Sequence, residues 1–217
     1  MPRPADRTTI HRHPERAQDD PAILWRILDD ALTCTVAWVD EDGRPRALPS
    51  IHARIDDTLY LHGSAASRTM RVTKGGLEVA VAATIVDGLV LARSWANHSM
   101  NYRSVVVYGT AREVTDPRER LAVARSIVEH VVPGRTEHTR TPNPTEDKET
   151  TMLAVPLAEA SAKIRTGPPV DDEADLASPA WAGVLPVTLA TGEPVPHGDR
   201  RDMPEHVSDY RRPGGTR

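Results

Sequence analysis

Phenylalanine is missing altogether, and the remaining aromatics are four Trp and four Tyr. Any core must therefore be assembled from Val, Ala, Leu, Ile and the tryptophans. The single cysteine, Cys34, excludes an internal disulfide and a cysteine-built zinc cage. Within LTCTVAWV it reads as a small core residue rather than a reactive thiol. Nowhere do about 18 apolar residues run together, and MPRPADRTTIHRHPERAQDD at the N-terminus lacks the apolar segment of a secretory signal. The expectation is a soluble, cytoplasmic protein with no membrane contact. No charge of one sign dominates either: 27 basic and 31 acidic side chains are intermixed, which argues against a nucleic-acid partner.

What is present is organised in three parts: a polar arm (1–19), a domain (20–167) and a Pro-rich extension (168–217). DPAILWRILDDAL has helical spacing, with Asp20 as N-cap and Pro21 at the first helical position, and predicts a helix over 20–32. TCTVAWVDEDGRPRALPSIHARIDDTLYLHG then shows three β-rich runs separated by DEDG and DD, with Pro45 and Pro49 assigning the middle one to an edge or bulge. LEVAVAATIVDGLVLARS reads as two strands turning near Asp87-Gly88, and NYRSVVVYGTAREV as one long strand. A second helix starts at Asp116, with Glu119 at the capping-box position. The loop PGRTEHTRTPNPTEDKET is long enough to be functional or mobile. TMLAVPLAEASAKIR reads as one last strand. In the extension, order is expected near Trp181 and disorder after about residue 198. The pattern as a whole predicts a mainly β protein, a β-barrel with peripheral helices.

The joint YLHGSAASRTMR carries the clearest chemistry. A strand ending at His62 and a helix beginning near Ser67 leave backbone N–H groups without helical partners, which attract an anion. Gly63 permits close approach to the backbone, Ser64, Ser67 and Thr69 offer hydroxyls, and Arg68 or Arg71 can add a guanidinium fork to a phosphate. An ordinary serine N-cap accounts for the same residues.

Taken in order, CTVAWVDEDGRPRALPSIHARIDDTLYLHGSAASRTMR, NYRSVVVYGTARE and MLAVPLAEASAKIRTGPP resemble the split-barrel flavoproteins related to pyridoxamine 5'-phosphate oxidase, especially the branch with the 5-nitroimidazole-resistance (Nim) proteins. The resemblance covers about residues 20–167, and PAWAGVLP in the extension is also similar to related members. It implies an FMN-binding split barrel, a homodimer with FMN in clefts between subunits, and an oxidoreductase passing electrons from a reduced nicotinamide or other donor to a small organic acceptor. It places flavin contacts at Pro49, Ser50 and Ile51 and at His62, Gly63 and Ser64, with the phosphate on Ser67, Arg68 and Thr69. The oxidase's full set of basic phosphate and substrate residues is not found, which argues against pyridoxamine phosphate as substrate.

Other residues leave alternatives open. His52 and His62 sit on adjacent strands and could together hold a metal or haem, as some relatives bind haem; otherwise His62 lines the flavin cleft and His52 is structural. His98 reads as a turn residue. Arg103 could stabilise reduced flavin or form a surface ion pair, and Lys163 and Arg165 pose the same choice. Trp181 either covers the flavin or anchors the extension. Arg44, Arg46 and Arg54 are compatible with the longer acidic tail of F420, and a nonenzymatic flavin or haem carrier is the remaining alternative.

Overall fold

The computed structural model describes residues 6–67, 76–198 and 202–210. They form β1 (Ala17–Gln18), α1 (Pro21–Asp30), β2 (Cys34–Val39), β3 (Pro45–Ser50), β4 (His52–Ile55), β5 (Thr58–Ser64), β6 (Leu77–Leu91), β7 (Ser99–Glu113), α2 (Pro117–Val131), α3 (Pro144–Glu149), β8 (Thr150–Pro156), β9 (Glu159–Arg165), β10 (Gly183–Pro186) and α4 (Glu205–Ser208). The main strand path is β3-β2-β6-β7-β8-β5-β4, with β9 also on β7, β10 on β6 and β1 on β9. The sheet curls without closing, and β3, with its two prolines, is an edge as the sequence implies. The mainly β split barrel with peripheral helices is thus the observed architecture. Among the described residues no helix is long and apolar enough to cross a membrane.

Both long helices begin where their caps predict. Asp20 accepts a hydrogen bond from Ala22 N at 2.9 Å, and α1 buries Leu24, Ile27 and Leu28 in the main core with Val81, Val107 and Leu153. Asp116 accepts from Arg118 N and Glu119 N, while α2 packs Val123 and Ile127 over Tyr60, Met152 and Ala154 in a second core. Glu119 does not close a capping box. Its carboxylate instead takes Tyr60 Oη at 2.9 Å and Arg112 at 2.5 and 3.1 Å, because a guanidinium outcompetes a neutral N–H for a carboxylate.

Two turn assignments are corrected by the structure. Asp87-Gly88 is a bulge inside one continuous strand, β6, where the register against β7 shifts between Val86 and Gly88. The glycine serves close approach: a Cβ there would meet Val184 Cγ1 at 2.9 Å and Leu185 O at 3.2 Å in the overlying β10. Conversely, residues 150–165 break into β8 and β9 at Leu157-Ala158, and these two strands do not pair with each other. Leu157 is buried and its N–H donates to Asp57 O at 2.9 Å, which fixes the corner where the chain passes from β5 to β7 as its neighbour.

The loop expected to be functional or mobile is clamped. Glu129 accepts from Gly134 N and from the Thr136 amide and hydroxyl, and α3 starts with a complete capping box between Asn143 and Glu146. Contrary to the expectation of disorder after residue 198, residues 202–210 dock beside this loop. Tyr210 Oη donates to Val131 O at 3.0 Å, and the His206 and His138 rings stack with centroids 4.3 Å apart.

Candidate functional site

The antiparallel register ends at the pair His52–Leu61, so the junction Ser50–Ile51, where β3 passes into β4, follows directly on the last rung beside the end of β5. Two segments distant in sequence thus meet where β3 bends into β4. Ile51 packs with the second core, and Ser50 Oγ donates to Ile51 O at 3.1 Å. Pro49 lies exposed on the edge strand opposite Thr35. The strand β5 runs two residues beyond the expected end at His62, because β8 supplies partners: His62 faces Met152, Gly63 faces Thr151 and Ser64 faces Thr150.

Beyond Ser64 the chain turns on itself. Ala66 N donates to Ser64 Oγ at 3.3 Å and Ser67 N to Ser64 O at 2.9 Å, while Ala65 N donates to Glu149 O at 2.8 Å. The Ser67 amide, assigned from the sequence to an anion, is therefore engaged within the turn. The Ser64 and Ser67 hydroxyls retain a proton each to donate. Arg68, Thr69 and Arg71 lie outside the described residues.

His62 is half-buried, and its Nδ1 is sealed from solvent without a hydrogen-bond partner among the described residues. Burial holds its pKa below the usual imidazole value, so the ring is neutral near pH 7. Thr151 Oγ1, opposite Gly63 on the next rung, is likewise buried and unpaired. Buried polar atoms are rarely unpaired; these two lie on successive rungs and so on opposite faces of the β5–β8 pair, His62 on the side of Met152 and Thr151 on the side of Leu153. Thr151 escaped sequence reasoning because only the β5–β8 register brings it here.

The other histidines at hand are committed. His52 Nε2 bonds to Leu28 O at 2.8 Å, His130 Nε2 to Ala31 O at 2.9 Å, and His98 Nδ1 to Ser94 O at 2.7 Å, so His52 is structural and His98 belongs to a turn. Arg103 is held by Asp87 at 2.8 and 3.0 Å and by Asp30 at 2.6 Å, which resolves its two readings toward an ion pair. Lys163 Nζ donates to Arg12 O at 2.7 Å, and Arg165 is buried on Asn101. Arg46 and Arg54 are paired to Asp40 and Asp29, and Arg44 to Asp42 at 3.4 Å, so none stands free for a long acidic cofactor tail. Trp181 lies over Gly183 at the start of β10, where a Cβ would come within 2.7 Å of the ring. What anchors the extension is β10 itself, paired with β6 from Gly88 to Leu91. Among the described residues no three His, Cys, Asp or Glu side chains converge as a metal site.

Comparison with the curated proteins finds no match. A family model described as pyridoxamine 5'-phosphate oxidase matches residues 20–164. Among solved structures, the flavocytochrome Anf3 from Azotobacter vinelandii is similar at 35% identity and TM-score 0.87, over 96% of this chain and 98% of that one. The FAD and haem binding protein from Mycobacterium smegmatis is similar at 32% identity and TM-score 0.84, over 89% and 96%. A 5-nitroimidazole antibiotic resistance protein of Bacteroides thetaiotaomicron shares the fold at 20% identity and TM-score 0.57, over 68% and 86%. The ordered motifs, the split barrel and the matched model agree: this chain belongs to the pyridoxamine 5'-phosphate oxidase family and has its flavin-binding fold.

Proposed function

We propose that this protein is a flavin- and haem-carrying redox protein that works as a homodimer, its flavin held at the joint of Ser50–Ile51 with His62–Ser64 and Ser67. The observation that carries this reading is coverage. The similarity to Anf3 extends over 96% of the chain and must include most of the extension, whereas the family model stops at residue 164 and the nitroimidazole-resistance protein covers only 68%. The extension is thus shared with proteins described as flavin- and haem-binding. The FAD and haem binding protein from Mycobacterium smegmatis, similar over 89% of this chain, favours FAD over the FMN implied by the Nim-like resemblance.

The residues present fit such groups. His62 is neutral, makes no hydrogen bond among the described residues, and so can offer a ring nitrogen to iron or to a flavin edge without breaking an existing contact. The Ser64 and Ser67 hydroxyls can donate to phosphate oxygens, with Arg68 and Thr69 following in sequence. When bound, flavin supplies hydride and single-electron chemistry; the chain positions it and controls access. The electrons are taken to come from a reduced nicotinamide or similar donor and to pass to a small acceptor.

The test is to denature the purified protein, identify the released flavin by mass spectrometry and assay haem as its pyridine complex. FAD with haem supports the reading; FMN without haem returns the protein to the Nim-like alternative; neither group ends it. His62→Ala is expected to abolish or shift the haem absorbance while flavin is retained. An unchanged haem spectrum removes His62 as the iron ligand.

A further inference from the structure

We propose that the outer face of α2 carries a second binding site, distinct from the flavin joint, for an amphipathic monocarboxylate. The two faces of α2 differ in what they pack against. Val123 and Ile127 turn inward to the second core. Leu121, Arg125 and Val128 follow the i, i+4, i+7 spacing of the other stripe, with Ala124, which also touches the second core, at its border. Leu121 is 53% and Val128 38% exposed, and together with the loop at residues 136–142 they enclose a groove of about 630 Å³. That volume lies within the range of small-molecule sites, and its floor is aliphatic.

The wall opposite the helix is rigid before any ligand arrives. Glu129 pins Gly134 N at 2.5 Å and Thr136 N at 2.9 Å, and the Asn143–Glu146 capping box fixes the other end. A preformed groove loses little freedom on binding.

Charge selects the ligand class. Arg140 is neutralised by Glu146 at 2.5 and 2.8 Å. Arg125 has Glu129 within electrostatic range, and its guanidinium makes no hydrogen bond or ion pair among the described residues, so its N–H groups are available to a carboxylate. Glu137, also lining the groove, opposes a second negative charge. One carboxylate on Arg125 with an aliphatic body over Leu121 and Val128 satisfies this lining, whereas a phosphate ester or nucleotide does not.

The experiment is calorimetric titration of the full chain as purified, with decanoate and with decanol as probes. Decanoate is expected to saturate at one per chain and to bind more tightly than decanol. Arg125→Ala should weaken decanoate by about tenfold or more and leave decanol unchanged. Leu121→Glu should abolish both, with flavin content and Tm retained because Leu121 is 53% exposed; Val128→Thr provides a second variant that should weaken both. Absence of saturable decanoate binding, equal binding of the two probes, or decanoate affinity unchanged in these variants would overturn the proposal. Flavin content is read separately, so this outcome is independent of the redox reading.

Discussion

His52 is fully buried at 0% exposure, yet it is a titratable residue. Its Nε2 donates to Leu28 O and the Nε2 of His130 donates to Ala31 O, so both imidazoles cap carbonyls at the end of α1, and their rings lie 4.8 Å apart. Burial pushes the His52 pKa from 6.5 down to about 4; the Leu28 bond works against this, and the neighbouring His130 adds to it. The Asp29 carboxylate favours protonation of both rings, but Arg54 pairs with it at 2.6 Å. A depressed histidine pKa means the unfolded chain binds the proton first. Stability is therefore full above about pH 6.5 and declines as pH falls toward 4, by up to about 3 kcal/mol from this residue. Urea unfolding across that interval should show the decline. His52→Gln, which keeps a donor for Leu28 O, should flatten it by about one proton; the same pH dependence in both proteins would mean that His52 is not held neutral. Cys34, by contrast, is a thiol pushed up to about 12 by burial, in keeping with its reading as a core residue.

At the scale of elements, the contact between β6 and β10 ties the extension to the barrel. Gly183 to Pro186 pair with Leu91 to Gly88, and Val187 N adds a bond to Asp87 O at 3.1 Å. Because a Cβ on Gly88 would press on Val184 and Leu185, Gly88→Ala is expected to lift β10 and destabilise the protein by about 1–3 kcal/mol. Limited proteolysis should then cut near residue 183 faster than in the parent, while the domain over residues 20–164 stays resistant. Equal cutting rates would show that β10 yields without loss. Removing residues 199–217 takes away the Tyr210–Val131 bond and the His206–His138 stack but leaves β10, so its effect on Tm should be the smaller of the two.

The whole molecule presents an apolar surface that one chain does not cover. Leu185 on β10, Leu89 on β6 and Met100 on β7 stand in register across three strands and are 48%, 39% and 49% exposed. An exposed apolar row on a sheet surface suits a second copy of the chain, and this supports the proposed homodimer. Light scattering at micromolar protein should report twice the 23.8 kDa chain mass, and Leu89→Arg with Met100→Arg should shift it to the single-chain value with loss of flavin. A single-chain mass at full flavin content would break the link between pairing and cofactor.

Some of this architecture is written in short segments. Asp20 with Pro21 and Asp116 with Pro117 start the two long helices because an N-cap acts within three residues, and alternation over VVVYG defines β7 because the pleat has a period of two. The flavin-family assignment was also legible, carried by motifs in a fixed order. Long-range pairing decided the rest. Asp87-Gly88 has the composition of a turn, but the ladder bonds of β7 on one side and β10 on the other hold it as a bulge in a single strand. Leu157-Ala158 lacks turn residues and nevertheless makes a corner, because β5 and β7 offer partners in different sheets. Glu119 leaves its cap for Arg112 and Tyr60, and Arg103 is claimed by Asp87 and Asp30, because charged partners far away in sequence outweigh nearer neutral ones. The sequence by itself determined where the two long helices begin and where most of the β-rich runs lie. Which strands lie beside one another, and hence that His62 faces Met152 and Gly63 faces Thr151, was decided only by tertiary packing, since strand pairing energies depend on partners that no local window contains.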